Sequence, residues 1–419
     1  MRSKRILPLC LAALFLCMAL PLVGEPNVPG GEFRVNQTTT LIRQMHPTAA
    51  FDGAGNSLVV WEHEVAGIKG RFFGADGVAA GPELTLVANS AVSVPFQGTV
   101  ATRKDPVAAF LPNGSFFLFW TEQFSYQSVA LFIQSVQIQE SDVYGQLFDH
   151  NGKSVGARIR VNTTTAGAQS LPKVQARAND LVVIWQSDHR DSGVIDQAIY
   201  GQRVDFSGHL VGSEFRATGA SIQALSPALA AAPSGKFIVA WEANDAQGKG
   251  VFAQLFDASA TAVGSDFQVN TDTALDQRRP AVAADHSGNF MVVWQGQYQT
   301  VKQARIFGQL VGPAGNLVGG QLAISTGHDL NEVAPSVAAG KNGDDFLTVW
   351  LNFDSTFPRG IYASQVTANG AGAPVQINHQ GLNYNTRSAV ATDGHGKFLA
   401  SWEGFISRQA AITAQLITE

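Results

Sequence analysis

Charge and cysteine are the two things this chain has least of. Of its 419 residues, 15% are Asp, Glu, Lys or Arg, against about 25% in an ordinary globular protein. The 28 basic residues are outnumbered by 33 acidic ones, so the cationic excess that holds nucleic acid or an anionic membrane is missing. Both cysteines, Cys10 and Cys17, fall within the first 24 residues. Beyond that point disulfides, thiolate metal sites and cysteine nucleophiles are excluded. Helical periodicity is absent as well. The nine histidines do not pair at metal-ligand spacing, and there is no Gly-rich phosphate loop, nucleophile elbow or HExxH motif. His63 stands between Glu62 and Glu64, but strand alternation points it away from both. No catalytic residue and no metal ligand emerge from motifs.

Apolar residues are not scarce, at 45%. The first five residues carry Arg2, Lys4 and Arg5, an apolar run follows over 6–23, and Gly24-Glu25-Pro26-Asn27 ends it. This is the layout of a secretory signal, with Pro8 and Pro21 arguing against a retained span. Residues 1–24 are expected to be a signal peptide and the mature protein secreted or periplasmic. Without disulfides it must be held by its own packed core, which nearly 400 residues can supply.

The rest of the chain repeats. Its seven tryptophans, Trp61, Trp120, Trp185, Trp241, Trp294, Trp350 and Trp402, are spaced 59, 65, 56, 53, 56 and 52 apart. Upstream of them stand Pro47, Pro106, Pro172, Pro227, Pro280, Pro335 and, in the last copy, Ser388, at distances of 14, 14, 13, 14, 14, 15 and 14. Three positions after that site six copies have Ala, and the third has Gln175. Gly55, Gly114, Gly235, Gly288, Gly343 and Gly396, with Asn179 in the third copy, mark the turn before each Trp. These residue types tolerate a left-handed backbone. Period-two runs such as Phe290 to Trp294, with strands of the form VYGQLFD and GSDFQVN, complete a helix-free unit of four strands.

Four strands repeated seven times predict an all-β fold, a seven-bladed β-propeller of four-stranded antiparallel blades. Residues 25–419 form this domain, with blade cores at about 47–86, 106–161, 172–217, 227–270, 280–325, 335–377 and 388–417 plus 32–36. The last copy stops after its third strand. Gly31 to Asn36 matches the fourth strand of other copies, so the amino terminus is expected to close the ring, leaving no exposed edge. The tryptophans are read as core.

The stretches FQVNTDTALDQRRPAVAADHSGNFMVVWQ and IYGQRVDFSGHLVGSEF resemble a repeat of exported bacterial proteins, also found in large calcium-repeat (RTX-type) surface proteins. The resemblance covers nearly all of the mature chain. It implies an extracellular or periplasmic propeller and brings no catalytic residues. Members often carry an Asp-Gly-rich turn before IYGQ. Here that turn reads HRDSGVIDQA in blade three and NDAQGKG in blade four. No cofactor is expected, calcium at such a turn being the one ion the resemblance leaves open.

Sites usually sit on the loops of a rigid scaffold. Second-to-third-strand and blade-to-blade loops share one face, and three neighbouring loops there are expanded, at 87–105, 121–142 and 186–198. Phe124, Tyr126, His189, Arg190 and Asp191 are the candidate contacts, and an extended hairpin with no role is the plainer reading. The residues after the tryptophans include Glu62, Glu242 and Glu403, with Gln186 and Gln295. They could ring the channel mouth and bind a cation or sugar hydroxyls, or simply end a strand at the surface. The recurrent third-strand Gln and fourth-strand Asn are read as scaffolding. The expectation is a monomeric, non-enzymatic propeller that binds an extracellular protein or polysaccharide on blades one to three, without nucleic acid or membrane contact. A carbohydrate-active hydrolase or lyase and a surface-layer spacer are the alternatives.

Overall fold

The computed structural model describes residues 31–38, 41–94, 97–130, 133–136, 140–191, 194–219, 223–274, 276–298, 303–325, 331–353, 358–378, 387–406 and 409–419. The expected signal, 1–24, lies outside them. The strands group into seven antiparallel sheets in ring order, with no helix among the described residues.

Blade five shows the unit. Its strands are Gln277–Ala284, Phe290–Tyr298, Gln303–Val311 and Leu317–Ala323, running from the axis outward. Gly288 makes the first turn at a φ of 85°. The other five turn glycines are also left-handed, whereas Asn179 is not. Blade three is one residue shorter there, and its turn is closed by Arg177 N–H donating to Asp180 O at 2.8 Å.

Alternation along the second strand sorts side chains between two neighbours rather than between core and water. Phe290, Val292 and Trp294 pack on Ile238, Ala240 and Leu255 of blade four. Met291 and Val293 pack on Val337, Phe346 and Trp350 of blade six. Every tryptophan sits in such an interface, facing the preceding blade and fully buried.

The ring closes as the repeat predicts. Phe33 and Arg34 pair with Ala414 and Thr413 of the last blade, and Val35 N–H donates to Ile412 O at 2.8 Å. The repeated polar residues hold the blades together. Asn36, Asn162, Asn270 and Asn378 each accept a third-strand backbone N–H through Oδ1, at 2.9, 2.7, 2.8 and 2.6 Å. The third-strand Gln202, Gln254 and Gln309 donate to carbonyls on both strands at a register shift, for example Gln309 to Leu310 O and Val318 O at 3.1 and 2.9 Å. Unpaired backbone groups are costly inside a sheet, so both devices are structural.

The three expanded loops are strand. Ser90–Val94 pairs with the start of Gln97–Phe110, and Phe116–Ala130 continues past the ring to pair with Ile133–Val136. In blade three Asp180–Asp191 pairs with Val194–Asp205 to its tip. Blades two and three therefore rise above their neighbours on one face. They are tied laterally, with Ser141 bridging to Ala168 and its hydroxyl donating to Gln169 O at 2.9 Å.

Candidate functional site

The inner strands surround an axial channel of about 620 Å³, walled by segments such as Pro280-Ala281-Val282-Ala283-Ala284. Seven strands converging on one axis leave room only for small side chains, which explains the recurrent Ala. The mouth on the expanded face is formed by the residue just before each proline. These are His46, Asp105, Leu171, Ser226, Arg279 and Ala334, with Arg387 before Ser388 in blade seven. The first six have left-handed backbones, with φ between 51° and 57°. For a residue with a Cβ this costs on the order of 1–2 kcal/mol, and strain of this kind persists only where its surroundings hold it.

In five of the six, what holds it is the residue after the preceding blade's tryptophan. Glu403 accepts His46 N–H at 3.3 Å, Thr121 accepts Leu171 N–H at 3.2 Å, and Gln186 accepts Ser226 N–H at 3.2 Å. Glu242 accepts Arg279 N–H at 2.7 Å and Gln295 accepts Ala334 N–H at 3.0 Å. The left-handed turn, accompanied by a register shift in the same strand, turns the N–H out of its own sheet toward the preceding blade. Blade six follows its tryptophan with Leu351, whose side chain offers no acceptor. In the next blade proline, left-handed backbone and register shift all disappear together, since Ser388–Thr392 pairs without a shift.

The glutamates expected to end strands at the surface are therefore buried, at 4%, 5% and 7% exposure for Glu62, Glu242 and Glu403. Two of them spend an oxygen on an interblade joint. Burial pushes the Glu403 carboxyl above its ordinary value of 4.5, against the opposing pull of His46. The folded state thus keeps a proton that the unfolded chain releases, and stability falls as pH rises through that window. Glu403→Gln retains the acceptor, as Gln186 and Gln295 do elsewhere in the ring, and removes the titration. Its melting temperature is expected to match the parent near pH 4 and to exceed it by a growing margin toward pH 7. A margin independent of pH would refute this account.

Glu62 turns to the mouth. His46 Nδ1 lies 3.1 Å from Glu62 Oε2 and 3.3 Å from Asp105 Oδ1. Arg387 is 3.9 Å from the same Asp105 oxygen, and the Thr121 hydroxyl is 3.4 Å from its partner oxygen. A continuous cluster thus runs across blades seven, one and two. Lys173 of blade three follows it, one residue past Pro172. Burial pushes its ammonium below the ordinary lysine range, with Arg387 acting in the same direction and Asp105 against it. His63 takes no part. It is buried, accepts Val65 and Ala66 N–H through Nδ1 at 3.3 and 3.0 Å, and its pKa is lowered chiefly by burial. Among the described residues no three His, Cys, Asp or Glu side chains are grouped to hold a metal ion.

Phe124 is half-buried in the second strand of blade two, its backbone between Ala101 and Glu140. Tyr126 runs opposite Thr99 in the same strand, and His189, Arg190 and Asp191 run opposite Asp196, Ile195 and Val194. The side chains of these four lie outside the described residues. Glu62 and Glu403 meet around His46, while Glu242 is on blade four, at a different joint. His46, Asp105, Arg387 and Lys173 were not among the residues singled out by the repeat. Three of them directly precede the proline site, so the signal was a position of the motif that varies.

No protein-family model matches the chain, and no curated protein matches it. Among solved structures the chain is similar to an ulvan lyase of polysaccharide lyase family PL25, at 10% identity, 96% coverage of both chains and a TM-score of 0.56. It is similar at a TM-score of 0.49 to a protein of unknown function from Dyadobacter fermentans, at 11% identity over 78% of this chain and 100% of that one. It is also similar to the GH93 α-L-arabinofuranosidase of Fusarium graminearum, with a TM-score of 0.47, 12% identity, and 94% and 98% coverage. At such identities the likeness to the ulvan lyase establishes the fold alone.

Proposed function

We propose that this is an exported, monomeric, non-enzymatic propeller that binds a polysaccharide across the channel mouth, flanked by the raised strands of blades two and three. One observation carries the reading. The seven mouth positions share a position in the repeat, six of them the same strained backbone, yet they display His, Asp, Leu, Ser, Arg, Ala and Arg. The polar members on blades seven, one and two adjoin the raised strands. A rigid scaffold that fixes a ring of backbones while varying the side chains presents a concave polar surface, suited to the hydroxyls of successive sugar units. That the fold is shared with a polysaccharide lyase is consistent with such a ligand. Hydrolysis would need two free carboxylates about 5–9.5 Å apart. Glu242 and Glu403 are instead committed to backbone N–H groups, and Glu62 and Asp105 each place an oxygen on His46, which favours binding over turnover.

The test is a glycan array with the protein from residue 25 onward, beside a variant in which 126–138 is replaced by a tight turn. The cut must stop there, because Glu122 is buried between Arg103 and Arg158 at 3.3 and 2.6 Å, and Asp142 accepts from Asn162 at 2.6 Å. Glycan binding that drops at least about tenfold in the shortened variant is the expected result. An intact protein that retains no glycan would overturn the proposal in favour of a protein partner or a surface-layer role.

A further inference from the structure

The position after each mouth proline is occupied by Thr48, Val107, Ala228, Ala281 and Ser336, and by Ala389 after Ser388. Each is small, as the converging strands demand. Blade three places Lys173 there instead, a side chain long enough to carry its ammonium into the channel, which it lines. It forms no ion pair with any described carboxylate. Of the two charges that act on it, Asp105 already faces His46 and Arg387, and Arg387 is itself a cation. Arg279 stands across the ring at the same mouth, exposed and likewise without an ion pair among the described residues. Desolvating a charge without a partner is expensive. A lysine introduced into an alanine-lined channel, uncompensated, suits an anion that enters from outside.

We infer that Lys173, with Arg387 lining the same mouth, forms an anion site inside the channel mouth that takes the acidic group of a charged sugar, which makes the glycan proposed above an acidic one. The site holds one end group and the raised strands hold the chain that continues from it. The lowered ammonium pKa agrees with the assignment, since burial disfavours the charged form and an entering anion favours it again.

Calorimetric titration with galacturonate, galactose 6-sulfate, neutral galactose and inorganic sulfate tests this on the mature protein. At least one acidic sugar is expected to bind about tenfold or more tighter than galactose, with inorganic sulfate weaker than that sugar. Lys173→Met should abolish the preference, and Lys173→Arg should retain it because the charge and its donors remain. Lys173→Met removes a desolvated charge, so a melting temperature at or above the parent's confirms that it folds. A preference that survives in Lys173→Met, or binding of both acidic sugars no tighter than that of galactose, would overturn the anion site. Inorganic sulfate binding as tightly as the acidic sugars would overturn its assignment to a sugar. The array decides the glycan reading separately, because neutral glycans retained there with no acidic preference here leave that reading intact and remove this one.

Discussion

A chain that begins at Gln37 should unfold at a much lower denaturant concentration than one that begins at Glu25. The strand removed is two paired residues long, yet what it carries is buried. Val35 is 0% and Asn36 1% exposed. Phe33 meets the Phe73 ring at 5.2 Å. Arg71 donates to Val35 O at 3.0 Å and Asn36 accepts Ile412 N–H at 2.9 Å. Losing one buried valine costs roughly 1.5–3 kcal/mol, and each buried polar group left without a partner about 1–3 kcal/mol. Together these are comparable to the ~5–15 kcal/mol by which a domain is stable at all. The truncation also exposes Gln409–Thr418 as a free edge, a template for pairing with another chain. Urea unfolding followed by tryptophan fluorescence, with light scattering for association, measures both effects. A midpoint unchanged by the truncation would mean that the ring does not depend on its closure.

The second large effect is expected from Trp294→Ala, at about 3–5 kcal/mol for the cavity between blades four and five. The Trp294 indole also donates to the buried Gln277 Oε1 at 2.8 Å, as Trp61 does to Gln44 and Trp185 to Gln169 at 2.6 and 2.9 Å. Trp241 has no such partner among the described residues, and Ala224 occupies the position that holds Gln277 in blade five. Comparing Trp294→Phe with Trp241→Phe separates the two contributions. The former should cost more by about 1 kcal/mol, the net worth of a buried hydrogen bond. Equal losses in the two phenylalanine variants would show that packing alone fixes the indoles.

What the sequence made legible was whatever the fold requires seven times over. The tryptophans, the prolines, the inner-strand alanines and the turn glycines recur because every blade must meet its neighbours in the same way, and they led directly to the ring and its closure. The mouth was not legible for the complementary reason. His46, Asp105 and Arg387 occupy a position where the repeat fixes the backbone in six blades but not the side chain, so no residue type repeats there. Lys173 could have been noticed as the one long side chain in an otherwise small set. The glutamates after the tryptophans were misplaced because polar residues at a strand end are usually solvated. Their burial was written in a correlation across blades, since Leu351, the one residue of the set that cannot accept a hydrogen bond, precedes the one copy that lacks its proline. Loop lengths pointed to blades two and three, but whether a long connection continues the sheet depends on cross-strand pairing that spacing does not reveal.

That missing acceptor makes the ring mechanically uneven. Five joints pair a strained backbone with a side chain from the neighbouring blade. Between blades one and two Glu62 and Asp105 meet through His46 instead, and between blades six and seven neither fastening is present among the described residues. Blade six is also the one whose outer edge is broken into two short pieces, Gly370–Ala371 and Val375–Gln376. A closed ring has no ends at which to fray, so its fluctuations gather where the hoop is least braced. Here that place adjoins Arg387, so the seam of the ring and the rim of its mouth share a residue, and a ligand gripping Arg387 would also act as a rivet across the gap.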